Sequence, residues 1–132
     1  MNILTLTLGP LATNCYLVWQ NGRTDAVIID PAANSRKITA ALQEHGLTPV
    51  CFLLTHAHFD HIGALKPLLA AADKVKGFVC VELNMGQMKQ DVELAIRCKK
   101  PVSLCRRVGG MIPTPDEVLA SIKTMAEGGA NA

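Results

Sequence analysis

Residues 55–63 read Thr-His-Ala-His-Phe-Asp-His-Ile-Gly and gather three of the chain's four histidines and one aspartate into one short stretch. Imidazole and carboxylate donors at this density suit a divalent cation, zinc first, with iron or manganese able to occupy the same ligand set. Such a cation polarises a carbonyl and raises the acidity of bound water, so the chemistry on offer is hydrolysis. Asp60, the only carboxylate of the motif, is the candidate to orient the water or manage its proton. The bland alternative is a polar surface loop, but chance assembly of His-x-His-x-Asp-His is rare at ordinary residue frequencies.

The run Val50-Cys51-Phe52-Leu53-Leu54 is apolar and rich in β-formers, which predicts a buried strand ending where His56 begins. Alternate side chains of an extended segment share a side, so His56 and His58 can reach one metal while Phe59 turns into the core. Asp60 and His61 then stand at the entry to a following helix and offer an oxygen and a nitrogen to a second ion. A zinc site with one open position wants three protein donors, so two histidines alone hold the metal poorly.

Three segments carry a family resemblance: Gly9-Pro10-Leu11-Ala12-Thr13-Asn14-Cys15-Tyr16-Leu17-Val18, Ala26-Val27-Ile28-Ile29-Asp30-Pro31, and Thr55 to Gly63. In order and spacing, residues 1–65 resemble the amino-terminal part of the metallo-β-lactamase superfamily, specifically the small glyoxalase II-like hydrolases. The resemblance implies that His56 and His58 hold a first metal, that Asp60 and His61 hold a second, and that Asp30 buttresses the ligands from a neighbouring strand end. It further implies hydrolysis of thioesters, lactams or phosphoesters. The family adds a further histidine, a bridging aspartate and a final histidine from later strands, whereas this chain has no histidine after His61. The cage is incomplete unless one of Asp73, Glu82, Asp91, Glu93, Asp116, Glu117 or Glu127 is delivered to it.

The second half, residues 70–126, resembles a different protein through Lys76-Gly77-Phe78-Val79-Cys80-Val81-Glu82-Leu83-Asn84-Met85-Gly86-Gln87-Met88 and Arg107-Val108-Gly109-Gly110-Met111-Ile112-Pro113-Thr114-Pro115-Asp116-Glu117. It is similar to the carboxy-terminal segment of the alpha subunit of 2-oxoacid:ferredoxin oxidoreductases. The complete enzymes use thiamine diphosphate, coenzyme A and iron–sulfur clusters. This half has no Cys-x-x-Cys cluster motif and no thiamine signature, so it implies an assembly fragment. The chain thus reads as a chimera joined near residues 65–72, within a stretch of good helix formers interrupted by Pro67.

These segments need one scaffold. At 132 residues and 49% hydrophobic content the chain can bury one sizeable core. No linker or low-complexity tract divides it, so residues 1–132 are expected to form a single domain with a frayed tail at 127–132. Aromatic residues make up 4% of the chain, leaving Leu, Ile, Val, Ala and Met to build the core. No apolar run approaches the roughly 20 residues that cross a bilayer. The start lacks the basic lead of a secretory signal, and five cysteines is an odd number for a disulfide scaffold. Those features place the chain in the cytoplasm, with Cys15, Cys51 and Cys80 as buried thiols and Cys98 and Cys105 as structural ones.

Strands are expected over Asn2–Leu8, Ala12–Gln20 and Asp25–Asp30, the last two joined by an Asn21-Gly22 hairpin turn. A helix capped by Asn34 or Ser35 runs to His45, which is a helix-end residue rather than a ligand. After the metal loop come a helix to about Val75, a strand Phe78–Glu82, a helix from about Gly86 to Cys98, and a strand Pro101–Arg106. Thr114-Pro115-Asp116-Glu117 forms a capping box that starts a helix to about Ala126. The alternation implies an α/β fold, a mixed β-sheet with helices on both faces, in which N-terminal antiparallel strands are followed by βαβ units. Sites in such sheets lie beyond the carboxyl ends of the strands, which would bring Glu82 and Asn84 to face the histidines, with Glu82 as a candidate metal ligand. Its alternative is to hydrogen-bond a helix amino terminus or to remain solvated.

Arg97, Lys99, Lys100, Arg106 and Arg107 form a basic stretch, but the formal net charge is only +2 and no aromatics interleave them. They read as solvated surface, and nucleic acid and membrane are not expected partners. Three classes of function follow: a metal-dependent hydrolase of a small-molecule thioester or related carbonyl compound with an impaired site, a non-catalytic assembly fragment, and a folded chimera without a task. Apolar surface once covered in the parent proteins makes a homo-oligomer plausible.

Overall fold

A computed structural model describes residues 1–55, 70, 75–83, 85–109 and 111–128. In the first strand, β1 (Asn2–Leu8), Leu4, Leu6 and Leu8 turn inward while Thr5 and Thr7 stay exposed, the period of two that a half-covered sheet demands. Strand β2 (Thr13–Trp19) pairs antiparallel with it, Leu4 opposite Leu17 and Leu6 opposite Cys15. The chain reverses at Asn21-Gly22, where Gly22 has φ 76° and Arg23 N–H donates to Gln20 O at 3.1 Å. Strand β3 (Asp25–Ile29) then pairs antiparallel with β2.

From β3 onward the pairing is parallel. Helix α1 (Ser35–Glu44) is capped by the Asn34 side chain, which accepts from Lys37 N–H at 3.3 Å. Strand β4 (Thr48–Leu54) lies beside β3 and begins earlier than its apolar run, with Pro49 accommodated beside the register shift at Ala26/Val27. Strand β5 (Gly77–Glu82) follows, then helix α2 (Gln87–Ala95), strand β6 (Val102–Arg106) and helix α3 (Pro115–Ala126). The sheet order is β1-β2-β3-β4-β5-β6.

Successive crossovers that all advance in one direction must place their helices on one face if each is right-handed. α1 and α2 obey this: Ile38, Ala41, Leu42, Met88 and Val92 share a core with Leu17, Ile28, Phe52, Leu54, Phe78 and Cys80. Phe52 and Phe78 stack at its centre, with ring centroids 5.1 Å apart. α3, which follows the last strand, folds over the opposite face, where Met125, Val118 and Ile122 cover Cys51, Leu53, Val79 and Cys105. Gly77 permits that approach, because a Cβ there would stand 2.7 Å from Pro101 O and press on Met125. The mixed sheet with helices on both faces is the architecture expected.

Boundaries differ in detail. α2 stops at Ala95 rather than Cys98, because Arg97 and Cys98 take φ of 53° and 51° and Cys98 N–H turns back to Glu93 O at 2.9 Å. That turn leaves Cys98 exposed, whereas Cys15, Cys51, Cys80 and Cys105 are buried. The helix expected between the metal motif and Val75 lies outside the described residues, apart from helical Ala70, as does most of the tail expected to fray. Among the described residues no helix is long and apolar enough to cross a membrane.

Candidate metal centre

Parallel pairing of β3, β4, β5 and β6 sets their carboxyl ends along one side of the sheet, and Thr55 follows the end of β4 directly. The expected ligands His56, His58, Asp60 and His61 lie outside the described residues, and so does Asn84. The platform from which the motif departs is described. Asp30, just past β3, is buried, with 4% of its surface exposed. Its N–H donates to Leu53 O at 3.0 Å, which extends the ladder by one step. Its carboxylate accepts from Thr55 N–H at 2.8 Å and from Thr55 Oγ1 at 2.5 Å. Asp30 takes φ 49°, a left-handed conformation that aspartate tolerates better than most residues. The residue before His56 is thereby pinned in backbone and side chain by a neighbouring strand.

Glu82 ends β5, one strand away, and is also buried. Its two oxygens accept from Met88 N–H at 3.0 Å and Lys89 N–H at 2.8 Å. Gly86, the N-cap of α2, has no side chain to satisfy those donors, so Glu82 supplies the cap from the preceding strand and places its charge at the positive end of the helix. The capping alternative for this residue is what the geometry displays. Its sequence signal was the side-chain-free N-cap four residues downstream.

Cys15, Cys51 and Cys80 are packing groups. Burial pushes each thiol up to about 12, with the Asp30 charge adding to the effect at Cys15 and the Glu82 charge at Cys80. They stay protonated at neutral pH and are poor metal ligands. His45 caps the carboxyl end of α1 and lies 5.5 Å from the Trp19 ring, in the role expected of it. Among the described residues no group of three or more His, Cys, Asp or Glu side chains is placed to hold a metal.

Sequence reasoning missed one pairing. Arg107, read as solvated surface, donates from Nη2 to Glu117 Oε1 at 2.6 Å and from Nε to both carboxylate oxygens at 3.1 Å. Glu117 is also the third residue of the α3 capping box, accepting from Thr114 N–H at 2.7 Å. The Arg107 guanidinium, and then the Thr114 N–H, hold its carboxyl down to about 2. The capping box was legible, but the arginine ten residues upstream was not.

The family model for the metallo-beta-lactamase superfamily matches residues 8–116, running through the expected seam near residues 65–72. The chain is 45% identical over 60 residues to the "Probable metallo-hydrolase YqgX" of Bacillus subtilis, covering 46% of this chain and 28% of that protein. It is 35% identical over 68 residues to the "Hydroxyacylglutathione hydrolase GloC" of Haemophilus influenzae, covering 52% of this chain and 32% of that one. Among solved structures, TTHA1623 in a di-iron-bound form matches with TM-score 0.56 and 37% identity, over 82% of this chain and 55% of the other. The BLEG-1 B3 metallo-beta-lactamase matches with TM-score 0.54 and 35% identity, over 59% of this chain and 36% of the other. The chain therefore spans about a third of the length of these curated relatives.

Proposed function

This chain belongs to the metallo-β-lactamase superfamily, and on that premise we propose that it is a metal-dependent hydrolase of thioester or related carbonyl compounds whose metal cage is incomplete. One observation carries the proposal: the Asp30 carboxylate fixes Thr55, so the His-x-His-x-Asp-His motif leaves the end of β4 from a defined point. The donor set of three imidazoles and a carboxylate suits zinc or iron, with His56 and His58 on one ion and Asp60 and His61 on another. When bound, the metal would polarise the substrate carbonyl and activate water. Asp60 would orient that water and take its proton. Glu82 enters the ligand set only through lone pairs left after its two helix N–H bonds. Residues 62–132 carry no histidine, so a further ligand drawn from this stretch would be a carboxylate.

The test is hydrolysis of a hydroxyacylglutathione thioester by purified, zinc-supplemented protein. Slow turnover that is abolished both by a chelator and by His58→Ala supports the reading, and turnover that survives either treatment overturns it.

A second reading concerns residues 70–126 as the tail of a 2-oxoacid:ferredoxin oxidoreductase alpha subunit. The family model runs across the seam this reading requires, from residue 8 to residue 116, and so lends it no support. Co-purification with oxidoreductase subunits would favour it, and monomeric behaviour in their presence would count against it.

A further inference from the structure

A cleft of about 370 Å³ opens at the end of β6, lined by Met85, Arg106, Arg107, Val108 and Met111. That volume falls within the roughly 300–1,000 Å³ range of small-molecule sites. Its surroundings are unusually apolar for exposed surface. Leu83, Met85, Val108, Met111 and Ile112 are all exposed large hydrophobics, with Met85 72% and Met111 55% accessible. Exposed apolar side chains gathered in one cleft, as Met85, Val108 and Met111 are, mark a ligand or partner site more often than isolated ones do.

The charge over this apolar floor can be counted. Arg107 is neutralised by Glu117. Arg106 has no carboxylate partner among the described residues, and its Nη1 rests 3.6 Å from Met85 Sδ. The Arg107 Nη1 rests likewise 3.8 Å from Met111 Sδ. Glu82 lies directly across the ladder from Arg106, but its oxygens accept from the first turn of α2. One unmatched guanidinium therefore stands beside flexible thioether and valine surface. A guanidinium fork matches a carboxylate in shape and charge, and methionines adapt to alkyl chains of varied form.

We infer that this cleft binds a small organic monoanion, a carboxylate on an apolar chain, with Arg106 pairing the carboxylate and Met85, Val108 and Met111 covering the chain. Binding requires no metal and stands apart from the hydrolase reading.

Isothermal titration of the metal-free full chain with sodium octanoate tests this, with acetate, octylamine and inorganic phosphate as comparison probes. Saturable octanoate binding is expected. Acetate and octylamine should each bind at least about tenfold more weakly, and Arg106→Gln should weaken octanoate by about tenfold, as loss of a charge-assisted hydrogen bond implies. Arg97→Gln, on exposed surface elsewhere, should leave the affinity unchanged, and circular dichroism of both variants confirms their folding. Equal binding of octanoate and octylamine, tighter binding of phosphate, an unchanged Arg106→Gln titration, or self-association that removes the site would each overturn the inference.

Discussion

Thr55 is held by Asp30 through two hydrogen bonds to one buried carboxylate, from the backbone N–H at 2.8 Å and from Oγ1 at 2.5 Å. The relationship joins strands that are adjacent in the sheet but 25 residues apart in the chain, at the point where the metal motif begins. Asp30→Asn presents an amide N–H to a group that is itself a donor. It should cost about 2 kcal/mol in urea unfolding, within the range for hydrogen bonds to charged groups. It should also weaken zinc binding at the motif. An unchanged unfolding midpoint would show that Thr55 is positioned by something else.

Glu82→Ala separates capping from metal ligation. Two N–H groups of α2 lose their acceptor, so stability should fall by about 1–2 kcal/mol while zinc affinity stays at the wild-type value. A large loss of zinc affinity at unchanged stability would place Glu82 in the cage.

The Glu117 carboxyl is lowered from 4.5 to about 2 in the folded state, so its contribution is present above pH 4.5 and drains away as pH falls toward 2. Thermal unfolding followed between those limits should show a declining midpoint that Glu117→Gln flattens. Since Arg107 is the larger cause, Arg107→Gln should flatten it as well. A wild-type slope retained in both variants would refute the assignment.

Cys98 is the exposed thiol, whereas burial keeps Cys15, Cys51 and Cys80 protonated far above neutral pH. A thiol reagent at pH 8 should label one cysteine rapidly in the native chain and none rapidly in Cys98→Ser. Fast labelling of two or more sites would contradict the packing of the sheet.

Much of the scaffold is legible because local and tertiary signals agree. The alternation of Leu4, Leu6 and Leu8 with threonines yields β1, Asn21-Gly22 yields the first turn, and Thr114 to Glu117 yields the start of α3. What escaped depends on partners distant in sequence. For Glu82 the sequence leaves ligand, cap and solvent open, and the side-chain-free Gly86 decides for the cap only once the strand end and helix start are placed together. The exposure of Cys98 follows from two consecutive left-handed residues that no glycine announces. The site is the reverse case, since the donor types of His56, His58, Asp60 and His61 are plain in the sequence while their positions lie outside the described residues.

The central claim is that the motif leaving β4 binds a transition metal, and metal content measured by mass spectrometry tests it most directly. The protein would be purified without added metal and compared with His56→Ala. Zinc or iron bound to the wild-type chain and lost from the variant is the predicted result. Wild-type protein that carries no more metal than His56→Ala, even after incubation with zinc, would contradict it.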